Sequence, residues 1–306
     1  MCLKRSWKTW LCLPLCGLLI WFLADAEQVR CTTSEALSLC ARSVIPSLFP
    51  FLVVSSLLVS LGFGQWISPY FAGFMTPLFG LPGHASSALV LGLVGGYPIG
   101  AQTASNLYQA GLLTRQETQR LLAFCNNSNP VFLISVLGAG IFGSTRIGIW
   151  LWLIHVASSL ITGILFRGRN TNTGPRHTPK PVTIVSFSSA FVSAVRGAAM
   201  GMLSICAFVT LFYVLAAPLA ALPSPVGTLL VGSLELFSLT PLLTPDRFSF
   251  ILASGCTGWG GLSVLCQTAA VLEGSSLSLR PCILGKLLQG LLSALLAAAL
   301  STFLFP

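Results

Sequence analysis

The chain has 306 residues, 54% of them hydrophobic and only 8% charged. Soluble domains carry about 25% charged residues, so a soluble fold is excluded and a polytopic membrane protein remains. The net charge of +9 comes from 16 basic and 7 acidic residues. Most basic residues lie between apolar runs, where membrane orientation accounts for them and nucleic-acid binding is not required.

Apolar runs fall at about 9–24, 44–62, 66–81, 85–100, 130–143, 147–166, 198–219, 226–243, 248–272 and 282–305. Residues 9–24 read as a signal peptide ending near Ala24-Asp25-Ala26 or as a retained first helix, and the many spans that follow favour retention. Lys4, Arg5 and Lys8 place that end in the cytoplasm. Cys31 and Cys40 lie in what reads as the first extracytoplasmic loop, where a disulfide or two free thiols are both open. The runs 66–81, 85–100 and 130–143 are shorter than the roughly 20 residues of a straight span. They are rich in Gly and Pro, as half-helices or re-entrant hairpins would be.

Residues 95–130 form a polar, proline-broken passage between apolar segments. Hydrocarbon leaves backbone and amide groups unsatisfied, so such a passage must line a cavity or pack inside protein. Gly95-Gly96-Tyr97-Pro98-Ile99-Gly100 reads as a broken helix, because Pro98 removes a donor and the glycines permit sharp bends. Thr114-Arg115-Gln116-Glu117 matches a capping box and predicts a short helix over about 115–125. Asn126, Asn127, Ser128 and Asn129 follow, ahead of Pro130. A single residue suffices to cap a helix; four polar ones in a row point to substrate or ion contact.

No acidic residue stands between Glu117 and Glu235, and the tract RGRNTNTGPRHTPKP at 167–181 reads as a basic cytoplasmic loop. Glu235 is the one acid deep in an apolar run, a position that costs several kcal/mol and marks a pathway or proton relay. Arg196 is its candidate partner, so the two are assigned to ion or proton coupling. In Gly258-Trp259-Gly260-Gly261-Leu262-Ser263, glycines allow close backbone approach and Trp259 offers a stacking surface. Gln267 lies one helical turn beyond Ser263.

The passages at 124–130 and 254–261 occupy matching places in two halves, each before a final long helix, and Arg42 and Arg196 each precede a long apolar run. Paired broken segments of this kind point to a transporter site. The fold expected is all-α and polytopic, with about 8–10 transmembrane or re-entrant helices in two pseudo-repeated halves. The chain shows no HExxH or GxSxG pattern, no phosphate-binding loop, no pair of intramembrane aspartates and no Cys/His metal spacing. The expectation is therefore no enzyme activity, no catalytic or metal-binding residue and no cofactor.

The segments GGYPIGA, GLLT, RLLAFCNNSNPVFL, GWGGLSVLCQ and LSLRPCILGKLLQGLLSALL resemble, in that order, the YlbJ family of sporulation integral membrane proteins, part of the nucleoside-recognition or Gate domain group. The resemblance runs over about 34–305. It implies an anchor helix at 1–33, Gate-like repeats at 34–166 and 187–306, and the basic loop at 167–186 between them. It also implies a protein of the membrane surrounding the forespore, moving dipicolinate, a flat pyridine dicarboxylate used with the spore cortex. Partners are then a small organic anion, membrane lipid, and a second copy or other sporulation membrane proteins. By motif position Gly96, Tyr97, Pro98, Gly100, Asn126, Asn127, Ser128, Gly260, Gly261, Ser263 and Gln267 carry over as substrate contacts, with Trp259 added as the ring-stacking residue. Asn129 and Thr240-Pro241 depart from the family pattern. A non-transporting scaffold or gate subunit, or a nucleoside transporter, stands as the alternative function.

Overall fold

A computed structural model describes residues 3–168 and 186–305; side chains are not described for 3–11, 64 and 65. Most of the basic tract 167–181 therefore lies outside the described residues, as do the side chains of Lys4, Arg5 and Lys8.

Every regular element of the described residues is helical. Helix α1 (Leu3–Ala24) is followed by α2 (Ala26–Leu39), which runs through a π-helical turn, Cys40–Val44, straight into α3 (Ile45–Ser60). The expected extracytoplasmic loop is thus part of a helix that continues from 26 to 60. Cys31 and Cys40 stand on it as free thiols, which corrects the disulfide alternative. Helix α4 (Phe63–Phe79) turns by 96° into the 3-10 turn Gly83–Ala85 and α5 (Ser86–Gly95). Two short helices follow, α6 (Ile99–Gln109) and α7 (Arg115–Leu122). A non-helical passage then leads to the π-helical segment Phe132–Ile141 and α8 (Thr145–Leu165).

The second part opens with the long α9 (Phe187–Ala220). Then come α10 (Val226–Leu234), the one-turn α11 (Leu236–Leu239), α12 (Arg247–Trp259), α13 (Gly261–Leu272) and α14 (Arg280–Leu304). Among the described residues five helices are long and apolar enough to cross a membrane, α2–α3, α8, α9, α12–α13 and α14, with a sixth if the bent α4–α5 pair counts as one span. Among the described residues the apolar run 130–143 became the short segment Phe132–Ile141 and the run 226–243 became α10, α11 and a 3-10 turn, so neither is a full span, while α1 carries the run 9–24.

The long helices show the amphipathy of a membrane interior. On α14, Leu284, Leu287, Leu291 and Leu295 are exposed on one face. The buried face carries Gly285, Lys286, Gln289, Gly290 and Ser293. Lipid is as apolar as leucine, so large apolar residues face outward, while small and polar ones bring helices together and bond across them. At about 1.5 Å per residue the 25 residues of α14 reach about 38 Å, enough for a bilayer core of about 30 Å.

The capped helix expected near 115 is present. Thr114 Oγ1 accepts from Glu117 N at 3.2 Å, and Glu117 Oε2 accepts from Thr114 N at 2.8 Å. Its inner face buries Leu121 and Leu122, and the helix packs against α6 and α14.

Candidate functional site

Three helix breaks converge. The first is Gly96–Pro98 between α5 and α6, the second Gly260 between α12 and α13, and the third Glu235 between α10 and α11. The first two face each other: Tyr97 Oη donates to the Thr257 carbonyl at 2.8 Å, and a Cβ placed on Gly260 would lie 3.4 Å from the Tyr97 ring. Both Gly260 and Gly261 have positive φ, so the reversal into α13 demands glycine there.

The passage Ala123–Asn129 threads between these elements with almost no exposure. A Cβ on Gly100 would run into the Cys125 carbonyl oxygen, and one on Gly285 into the Ala123 carbonyl oxygen. The passage is therefore held between α6 and α14 at backbone contact distance. Its amides are used inward. Asn126 Nδ2 donates to Thr268 Oγ1 at 2.8 Å, Asn127 Nδ2 donates to the Phe124 carbonyl at 2.9 Å, and Asn127 Oδ1 accepts from Gln289 Nε2 at 3.0 Å. Ser128 N donates to His155 Nε2 at 3.1 Å, so Nε2 is the unprotonated ring nitrogen. Asn129 Oδ1 accepts from Phe132 N at 2.7 Å.

At the centre of this network stands Lys286, wholly buried on α14. Its ammonium donates to Tyr97 Oη at 3.0 Å, to the Asn126 carbonyl at 3.0 Å and to Gln289 Oε1 at 2.8 Å. It also lies 4.8 Å from the Tyr97 ring centroid, a cation–π distance. Three acceptors match the three donors of an ammonium group. Among the described residues the one salt bridge is the exposed Glu27–Arg30 pair, so Lys286 is neutralised by no carboxylate.

Against Tyr97 opens a cavity of about 410 Å³ with walls from both parts of the chain. Its polar lining is Arg42, Ser43, Ser47, Tyr97, Ser128, Asn129, Glu235 and Gln267. Phe132, Val209, Phe237 and Val264 form much of the apolar remainder. This composition, mostly apolar with a few convergent polar groups, and this size suit a small organic ligand. Glu235 is buried and caps α11, with Oε2 accepting from Ser238 N at 2.6 Å.

Three of the residues expected to contact substrate line the cavity: Tyr97, Ser128 and Gln267. Glu235 lines it too, as expected of a pathway acid. Gly96, packed on Asn129, Gly100, packed on the Cys125 carbonyl, Gly260, beside Tyr97, and Gly261, packed on the Leu234 carbonyl, shape the wall from behind. Ser263 is buried and accepts from Gln267 Nε2 at 3.3 Å, and so orients that side chain. Asn126 and Asn127 face the Lys286 network and not the cavity, because their amides hold the threaded passage in place. Pro98 lines a second, smaller cavity.

Two of the expected residues lie away from the cavity. Trp259 lies outside, on an apolar groove with Leu229, Phe248 and Leu262, where its Nε1 donates to the Ser233 carbonyl at 3.0 Å. Arg196 is exposed on α9 and forms no salt bridge with Glu235. The arginine that shares the cavity with Glu235 is Arg42. The residues missed are Lys286 and Gln289. Lys286 and Gln289 lie three apart in the middle of an apolar helix, which puts them on one face, and the rule that singled out Glu235 applies equally to that lysine.

The family model described as "Nucleoside recognition" (Gate) matches residues 41–147, which include Arg42, the first helix break and the threaded passage. The chain is 27% identical over 305 aligned positions to the sporulation integral membrane protein YlbJ of Bacillus subtilis strain 168, covering 86% of this chain and 75% of that protein. No solved structure matches. The chain is an integral membrane protein whose residues 41–147 are similar to the nucleoside-recognition (Gate) family model and which is similar to YlbJ along most of its length.

Proposed function

We propose that the protein is a transporter or facilitator that moves a small organic anion across the membrane, with the cavity between the helix breaks as its binding site. The observation that carries this reading is the buried Lys286 ammonium, unpaired with any carboxylate and separated from the cavity by Tyr97. Together with Arg42 it sets two cations against the single acid Glu235 around one small chamber. A flat dicarboxylate such as dipicolinate fits that electrostatic balance, an apolar wall and a tyrosine ring. The name of the relative supports a role in endospore formation, and with it a seat in the membrane around the forespore as part of this proposal. Glu235, the acid lining the cavity, is the group positioned to take up a proton with the substrate.

A second reading, nucleoside as substrate, draws on the description of the matching family model and on the amides of Asn129 and Gln267 in the wall. Equilibrium binding of pyridine-2,6-dicarboxylate to the purified protein, with nucleosides as competitors, decides between them. For an anion site, Arg42→Gln weakens binding at least tenfold and Glu235→Gln tightens it. Binding of nucleoside without dicarboxylate, or equal affinities in both variants, contradicts the anion reading.

A further inference from the structure

We infer that substrate passes through two polar chambers arranged in series, with Gln267 and Ile205 as the partition between them. The inference rests on the transport reading. The second chamber, about 180 Å³, lies among α3, α6, α9 and α13, and both Gln267 and Ile205 line it as well as the first cavity.

The order of residues along three helices shows the series arrangement. On α3 the first cavity touches Ser47 and the second touches Ser56, nine residues further along the chain. On α13 the first touches Val264 and the second Val271. On α9 the first touches Val209 and the second Gly201, the reverse chain order. Each helix therefore leaves one chamber and enters the next. From Arg42 to Val59, the outermost lining residues on the helix that continues through α3, the path covers about 26 Å at 1.5 Å per residue. That approaches the roughly 30 Å of a bilayer core.

The second chamber is polar for its depth. Ser56, Gln102, Thr103, Asn106 and Ser204 line it, and Gln102 Nε2 donates to Asn106 Oδ1 at 3.1 Å on its exposed side. Amides facing hydrocarbon would be costly, whereas amides facing water in a passage are not. An arginine marks each end: Arg42 faces the first chamber, and the exposed Arg196 immediately precedes Gly197 of the second. Gln267 and Ile205 are both buried, so the partition is closed in this conformation.

The test uses the full-length protein in liposomes. Ser204→Cys places a thiol in the second chamber with little change of volume. The variant and the wild-type protein, which supplies the background of native cysteines, are treated with a membrane-impermeant cationic methanethiosulfonate. The expected result is one more adduct by intact mass in the variant. Its pyridine-2,6-dicarboxylate flux falls at least tenfold and is restored by dithiothreitol, while equilibrium binding changes less than twofold. No extra adduct, or an extra adduct with unchanged flux, overturns the two-chamber path. Ser56→Cys repeats the test from the opposite wall if the first variant does not fold. Absence of dicarboxylate flux in the wild type sinks the transport reading instead, and the extra adduct still decides whether the second chamber is open to water.

Discussion

Replacing Lys286 with Met is expected to cut organic-anion binding by about 30-fold while leaving the protein folded in the membrane. A carboxylate in contact with Tyr97 would lie roughly 8 Å from the ammonium. At an effective dielectric of about 20 that separation is worth about 2 kcal/mol, which gives the expected factor. The stability change is smaller because two terms oppose each other. The Tyr97 hydroxyl, the Asn126 carbonyl and Gln289 Oε1 lose their donor, at about 1–3 kcal/mol each for buried groups. In return, an unpaired charge that costs several kcal/mol to bury is gone. The measurement is dicarboxylate affinity together with the thermal unfolding midpoint of the detergent-solubilised protein. A variant that binds as well as wild type shows that Lys286 only holds the fold. Restored binding in Lys286→Arg, without restored binding in Lys286→Gln, marks the charge as the active property.

Gly100→Ala is expected to have the largest effect on folding. The added Cβ would overlap the Cys125 carbonyl oxygen, an atom fixed in backbone, not the end of a flexible side chain. Overpacking a fitted core costs about 1–3 kcal/mol, and here the strain falls on a passage already held from its other side at Gly285. Its displacement would also move Asn126 and Asn127 away from Thr268 and Gln289. The expected outcome is a sharp drop in monodisperse protein recovered from membranes, and loss of binding in what remains. Gly73→Ala is the control for general glycine sensitivity: a Cβ there meets nothing within 4 Å and the backbone is helical. Similar recovery of Gly100→Ala and wild type would show that the passage is loosely packed.

Much of this architecture was readable from residue patterns, for identifiable reasons. The break at Gly96–Pro98 and that at Gly260 are marked by residues whose backbone chemistry ends helices. The helix starting at Arg115 was legible because its capping box is a purely local device. The polar passage at 126–129 stood out because lipid cannot accept it. The break at Glu235 was not legible as a break: no glycine or proline marks it, and the carboxylate that caps α11 looks, in sequence, like an acid within a continuous span. The continuity of α2 with α3 was hidden for the opposite reason. Residues 26–39 are polar enough to resemble a loop, yet they form helix, with the Glu27–Arg30 pair at 2.6 Å one turn apart.

The site was partly legible. Residue type pointed to the right segments, and within them Tyr97, Ser128, Glu235 and Gln267 face the cavity. Which asparagines face it depends on rotation within a non-helical passage, where no periodicity applies. Asn126 turns inward to Thr268 and Asn127 to Gln289, partners some 140 and 160 positions away in the chain. Arg42 and Arg196 hold similar places in sequence, and only packing puts the first at the cavity and the second at the surface.

The most direct test of the account is uptake of radiolabelled pyridine-2,6-dicarboxylate into liposomes containing the purified protein, compared with liposomes containing the Lys286→Met variant. The account predicts saturable uptake in the wild type, resistant to excess nucleoside and reduced at least tenfold in the variant. Wild-type uptake no greater than that of protein-free liposomes, or uptake that nucleosides abolish, would contradict it.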